Sequence, residues 1–181
     1  AGRIFVGNRD ISTMVVLKGA KLVPFAPSTS PVIEALGAVP VMMEITDMYT
    51  ALDTGTVDVL TTSFNSLMPP WNLEDVASHV AENVPASFQV LFVAMNKERY
   101  QGLSDEHRAI IDEVAGLPMS LMMAKSFDSA DEIFLNIKDS TELKYEWKVV
   151  SDEERAKMDA AVLLGMEEVY AQYAERGVPN A

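Results

Sequence analysis

Asp53, Thr54 and Gly55 are the residues in this 181-residue chain whose types and order most directly suggest catalysis, because an aspartic protease holds its acid in such a triplet. That chemistry needs two facing loops that share one proton between paired carboxylates, so a chain with one copy would have to dimerise. The residues ahead of the triplet point elsewhere. Ile45, Met48, Tyr49 and Leu52 recur at spacings of three, four and seven behind Thr46 and Asp47, which is a helix period behind a start signal. Thr46 is expected as N-cap, Tyr49 and Leu52 as inward-facing, and Gly55 as the left-handed residue that ends the helix. The protease is kept as the alternative function.

Little other reactive chemistry is encoded. The chain has no cysteine, which removes disulfides, thiolate metal sites and thiol nucleophiles and is compatible with the cytosol or a bacterial periplasm. His79 and His107 lie far apart without metal-ligand spacing, and each is expected on a helix surface. The run from Ser151 to Asp159 reads as a solvated helix start, and the 11 methionines read as core. No metal or cofactor is expected. Fourteen basic against 27 acidic side chains give a net charge of -13, which repels nucleic acid and anionic membranes. No apolar run approaches the roughly 20 residues that span a bilayer, and the first residues do not form a signal peptide.

The elements that must position these residues begin as alternating strand and helix. Strands are expected at "GRIFVG", at "LKGAKLVPFAP" entered through Gly19, at "VPVMM" and at "VDVLTTS". Helices are expected at "SPVIEALGA", with Ser30 as N-cap and Pro31 at the first position, and at "TDMYTALDTG". Strand and helix in alternation predict a parallel sheet with right-handed crossovers. "MPPWNLEDVASHV" reads as a Pro-Pro loop and an amphipathic helix, and "PASFQVLFVAMN" as a long buried strand. The last third is helical, with Ser104 capping one helix, a break near Gly116 and Pro118, a short strand at "YEWKVVS", and a Ser151–Glu154 capping box before the final helix.

Read as one unit, "LGAVPVMMEITDMYTALDTGTVDV" resembles the second-lobe core of the DctP-like solute-binding proteins of tripartite ATP-independent periplasmic (TRAP) transporters. The residues that carry the likeness are Leu36, Gly37 and Ala38; Pro40 and Met43; Asp47, Tyr49, Ala51 and Leu52; and Gly55, Val57 and Asp58. "VVLKGAKL", "NLEDV" and "MNKERYQGLSDEHRAIID" are similar to further family segments in the family's order, so the likeness covers most of residues 3 to 181. It implies an α/β, periplasmic-binding-protein-like fold. Residues 1–86 would form the second-lobe core with its entering hinge strand, and residues 87–181 the returning strand, long helices and C-terminal elements of the other lobe.

The function implied is that of a periplasmic receptor, its signal peptide removed, and not an enzyme. It would capture a small organic ligand, an organic acid by family default, and deliver it to membrane permease subunits. A non-transport binding or interaction domain on the same fold is a further alternative. Family members begin with a first-lobe segment that has no counterpart ahead of "GRIFVG", so an incomplete first lobe and self-association are expected. Val23 stands where many members carry a carboxylate-binding arginine, and Val59 and Thr62 stand in the pattern that supplies a side-chain amide, which weakens the case for a dicarboxylate. The ligand contacts expected are Arg3, Phe25, Ile45, Thr62, Ser63, Asn65 and Trp71. Among them Thr62, Ser63 and Asn65 follow a parallel strand, where open α/β sheets bind ligands.

Overall fold

A computed structural model describes residues 3–85, 92–140 and 143–178, the side chains of residues 3, 137, 139 and 140 excepted. Six strands form one sheet in the order β3-β2-β4-β1-β5-β6. They are β1 (Arg3–Gly7), β2 (Lys21–Val23), β3 (Val39–Pro40), β4 (Val59–Ser63), β5 (His79–Glu82) and β6 (Glu146–Val149). Helices α1 (Met14–Leu17), α2 (Ser30–Ala35) and α3 (Met48–Asp53) lie between the early strands. Then come α4 (Lys97–Gln101), α5 (Asp105–Val114), α6 (Leu117–Ser140) and α7 (Asp152–Glu175).

The α/β class is as expected, but the sheet is mixed. β2 pairs in parallel with β3 and β4, and β5 with β6, whereas β1 runs antiparallel to both β4 and β5. Direction is a non-local property. The alternation of strand and helix is satisfied equally by a first strand inserted against its neighbours, and Phe5 opposite both Thr61 and Ala81 fixes that insertion.

Side chains of the central strands alternate between two apolar layers, so the sheet is buried on both faces. Ile4, Val6, Leu60 and Val80 join Leu52, Leu67 and Phe134 on one side. Phe5, Leu22, Val59 and Ala81 join Ile33, Leu36 and Met158 on the other. Each strand is short, and burial on two faces compensates for its length.

Several local expectations fail for identifiable reasons. The helix predicted over "NLEDVASHV" is a single 3-10 turn at Leu73–Asp75, because Asn72 takes a left-handed conformation (φ 50°) and the chain then enters β5. His79 therefore sits on a strand rather than a helix, its Nε2 3.2 Å from a Glu146 carboxylate oxygen. Thr46 is not an N-cap: it lies within a 3-10 turn at Ile45–Asp47 that leads into α3. Ser30 is the first residue of α2, with Thr29 ahead of it, and the third strand is only Val39–Pro40. Residues 86–91 of the expected strand "PASFQVLFVAMN" lie outside the described residues, and 92–96 are not in a strand.

Other signals hold. Ser104 and Ser151 accept from His107 N and Glu154 N, as N-caps do. Gly116 (φ +66°) separates α5 from α6. The second half of the capping box is spent elsewhere, since Glu154 Oε2 accepts from Met14 N at 3.4 Å and so ties α7 to the start of α1. β6 and α7 belong to the sheet built by the first five strands and its helix layer.

Gly165 fixes the contact of α7 with α2. A Cβ at that position would lie 2.6 Å from Val32 Cα and 2.8 Å from Pro31 O, so the two backbones touch where only glycine fits. Gly165→Ala is expected to lower the free energy of urea unfolding by about 2 kcal/mol, because the clash with rigid backbone exceeds the helix-propensity gain of about 1 kcal/mol. Unchanged or increased stability would contradict this packing.

Asp10 and Lys148 join the loop after β1 to β6 at 2.9 Å. Partial burial opposes ionisation of Asp10, but hydrogen bonds from Lys148 and Ser12 outweigh it and hold the carboxyl at about 2, below its ordinary 3.8. A depressed carboxylate stabilises the folded state above the ordinary value and loses that contribution as pH falls toward the folded one. The side chain is 38% exposed, so solvent screening limits the contribution to about 1 kcal/mol. Between about pH 4 and pH 2 the wild-type protein is expected to lose that amount more than Asp10→Asn does, read from urea unfolding at each pH.

Candidate functional site

Asp53 is the last residue of α3 and is exposed. Thr54 Oγ1 donates to Thr50 O at 2.8 Å and Gly55 takes φ +69°, so the triplet is a helix terminus and not a loop between two strands. This removes the geometry that the protease alternative requires. Leu52 faces inward as expected, at 1% exposure, whereas Tyr49 is 38% exposed and lines a cleft. The difference follows from a shortened helix: the 3-10 turn at Ile45–Asp47 rotates the first positions away from the face that a continuous helix would present.

Beyond Gly55 the chain is clamped at Asp58. Its Oδ2 accepts from Lys21 N at 2.8 Å, its own N–H donates to Lys21 O at 2.9 Å, and Lys21 Nζ donates to Gly55 O at 2.8 Å. These bonds set the parallel register Leu22 opposite Val59 and Val23 opposite Leu60. The chains beyond β2 and within the end of β4 therefore reach the same edge of the sheet.

At that edge lies a cleft of about 720 Å³. It is lined by Pro24, Phe25 and Pro27, by Met42, Met43, Ile45 and Met48, and at its floor by Thr61 and Thr62 of β4, whose side chains leave opposite faces of the strand. Glu44 and Asp47 complete the lining. A second cleft of about 300 Å³ shares Ile45, Met48 and Thr62 with the first and adds Tyr49, Ser66 and Trp71. The two clefts adjoin through those shared residues and form one groove, with Phe25 in the larger part and Trp71 in the smaller.

Four of the seven expected contacts, Phe25, Ile45, Thr62 and Trp71, are thus brought together. Ser63 and Asn65 are not in either lining, and the Ser63 hydroxyl donates to Asn65 Oδ1 at 2.5 Å. Arg3 pairs with Ser63 on β1, and its side chain lies outside the described residues. Val23 and Val59 are buried in the two core layers and do not line the groove.

Sequence reasoning missed Thr61, Glu44, Asp47 and the methionine wall as site residues. Thr61 was findable, since it precedes Thr62 on a parallel strand that ends at the groove. The methionines resemble core in any linear reading, and only the short β3 and the 3-10 turn expose them.

The floor holds an unusual feature. Thr61 is 4% exposed, yet its hydroxyl has no hydrogen-bond partner, whereas the adjacent Thr62 hydroxyl donates to Ser66 Oγ at 2.6 Å. A buried hydroxyl without a partner carries a desolvation cost of about 1–3 kcal/mol. Thr61 shares the sheet face of Phe5, its partner on β1, so the hydroxyl is directed into that core layer. Among the described residues no cluster of His, Asp or Glu could hold a metal ion, and no helix is long and apolar enough to cross a membrane. The groove offers an apolar lining with two threonines and two carboxylates among the described residues.

The family model DctP, described as bacterial extracellular solute-binding protein, family 7, matches residues 1–176. No curated protein matches the chain. Among solved structures, a TRAP solute-binding protein from Rhodoferax ferrireducens in complex with copurified benzoate is similar at TM-score 0.82 and 22% identity, with 98% of this chain and 56% of that one covered. A marine-metagenome TRAP solute-binding protein specific for aromatic acid ligands gives 0.79 and 22%, over 98% and 56%. The periplasmic ectoine-binding protein of the TeaABC TRAP transporter of Halomonas elongata gives 0.78 and 16%, over 98% and 57%. These likenesses show the fold, and the chain spans just over half the length of the structures it matches.

The two threonines of the floor are expected to respond in opposite directions when each is changed to valine. Thr61→Val removes a buried hydroxyl without a partner and should raise the unfolding free energy by about 1 kcal/mol; Thr62→Val breaks the bond to Ser66 and should lower it by a similar amount. Equal losses in chemical denaturation would show that Thr61 has a partner in solution.

Proposed function

The chain belongs to the bacterial extracellular solute-binding protein family 7, the DctP family, and from that membership we propose that it is the ligand-capturing part of a periplasmic receptor. The receptor takes up a small organic molecule and hands it to the membrane permease subunits of a TRAP-type transporter, with no chemistry done on the ligand. The observation that carries this reading is the groove at the ends of β2 and β4, with an apolar lining and a hydroxyl floor at the carboxyl edge of a parallel strand pair. Phe25, Ile45, Thr62 and Trp71 are its contacts, with Arg3, Ser63 and Asn65 as further candidates on the adjoining strand and turn.

In the proposed division, residues 1–86 supply the core of one lobe, and residues 87–181 return through the hinge and supply elements of the other, apart from β6 and α7, which pack with the first. Relatives of this fold are described with aromatic acids and with ectoine, so the scaffold admits ligands of different chemistry. Organic acids are the first compounds to try by family default. Self-association belongs to the same proposal, because Phe92, Val93, Leu117, Leu121 and Met122 are all more than half exposed around α5 and α6.

Thermal shift against a panel of organic acids, amines, sugars and compatible solutes tests the receptor reading. A ligand bound only to the folded state at 100 times its Kd adds about 2.7 kcal/mol, enough to move the transition by several degrees. Phe25→Ala is expected to weaken the compound so found about tenfold, the equivalent of about 1.4 kcal/mol. A full-length protein unmoved by any compound would count against a receptor.

A further inference from the structure

Resting on the receptor reading, we propose that Ser66 is a ligand contact: a hydrogen-bond donor, set by Thr62, that holds an acceptor oxygen of a ring compound seated in the smaller cleft against Tyr49 and Trp71. Strand alternation puts Thr62 on the sheet face of Ile4, its partner on β1, opposite to Thr61. That is the layer against which Met48 and Trp71 pack. The same two residues line the smaller cleft together with Thr62 and Ser66. Thr62 is 8% exposed, and its hydroxyl donates to Ser66 Oγ at 2.6 Å. An oxygen that accepts keeps its own proton for another partner, and the Ser66 hydroxyl has no acceptor among the described residues.

The bond runs against the habit of hydroxyls in this chain. Those of Thr29, Ser30, Thr54 and Ser120 donate to a carbonyl three or four residues back, at Ala26, Pro27, Thr50 and Gly116. Ser66 sits in a comparable 3-10 turn, Phe64–Leu67, and makes no such bond among the described residues. A hydroxyl that accepts one bond is polarised into a better donor, so the pair forms a short relay that ends in the cleft. The cleft holds about 300 Å³, room for one ring with a short substituent. Trp71 is fixed beside it by a turn in which Trp71 N and Asn72 N both donate to Met68 O, at 3.1 and 3.0 Å. Its indole and the Tyr49 ring offer flat apolar faces to a ring, while the hydroxyl pair supplies the polar end. An alcohol, an amide carbonyl or a carboxylate can accept from Ser66; an ammonium group brings donors only and cannot.

The test titrates 2-phenylethanol, phenylacetamide, phenylacetate and phenethylamine into the full-length protein and follows the tryptophan indole N–H signals by two-dimensional NMR. Trp71 lines the cleft, whereas Trp147 is stacked in the core on Phe64 and Phe134. At least one of the three oxygen compounds is expected to move the Trp71 signal and leave that of Trp147 in place, and the comparison among them shows which acceptor the site takes. Ser66→Ala should weaken that compound about two- to tenfold, Ser66→Thr, which keeps the hydroxyl, should restore most of the affinity, and phenethylamine should be indifferent to both. Ser66 is only partly buried, so folding is not at issue. Thr62 acts through Ser66, so Thr62→Val should weaken the same compound in the wild-type background and have no further effect beside Ser66→Ala. Equal affinity of wild type and Ser66→Ala, additive losses in the double variant, or no oxygen compound at Trp71 would each overturn the inference. None of these outcomes touches the receptor reading, which stands or falls with the thermal-shift panel.

Discussion

The parallel pairing of β2 with β4, pinned where Asp58 accepts from Lys21 N, is the constraint on which the functional edge of the molecule depends. A carboxylate that takes a backbone N–H at a strand entry fixes register more firmly than apolar contact does, because a shift by one residue would leave the acceptor unmet. With register set, β2 delivers Pro24 and Phe25, and β4 delivers Thr61 and Thr62, to one place. The preceding helix contributes too. Gly55 ends α3 in the left-handed conformation, which turns the chain into β4 and leaves Ile45 and Met48 beside the strand ends. Asp53, the residue with the strongest catalytic suggestion, serves only to finish that helix.

The groove is largely apolar. Among the described residues its lining is proline, phenylalanine, methionine and isoleucine, with two threonines and the carboxylates of Glu44 and Asp47. The layers beneath it are close-packed on both faces of the sheet, with α7 held against α2 through Gly165 on one side and Phe134 stacked on Phe64 at 5.3 Å on the other. The cost of that arrangement is concentrated in the unpartnered Thr61 hydroxyl.

What was legible in the sequence was what depends on neighbours in the chain. The helix ahead of Gly55, the caps at Ser104 and Ser151 and the break at Gly116 follow from local period and turn chemistry, and all are present. The direction of β1 was not legible, since it depends on residues 56 and 76 positions away, Phe5 lying opposite Thr61 and Ala81. The strand at His79 was mistaken for helix because pairing with Gly7 outweighs the helical pattern of "NLEDVASHV". In the site, Phe25, Ile45, Thr62 and Trp71 were placed from strand ends and family likeness, while Thr61 and the acidic pair needed the three-dimensional floor and rim to become visible.

The central claim, that the ligand sits where β2 and β4 end, is tested most directly by two-dimensional NMR with the compound that the thermal-shift panel identifies. The account predicts that the amide signals of Phe25, Ile45, Thr61 and Thr62 move on titration while those of α5 and the start of α6 stay in place. Shifts confined to the exposed groove between Phe92 and Phe127, with the end of β4 silent, would contradict it.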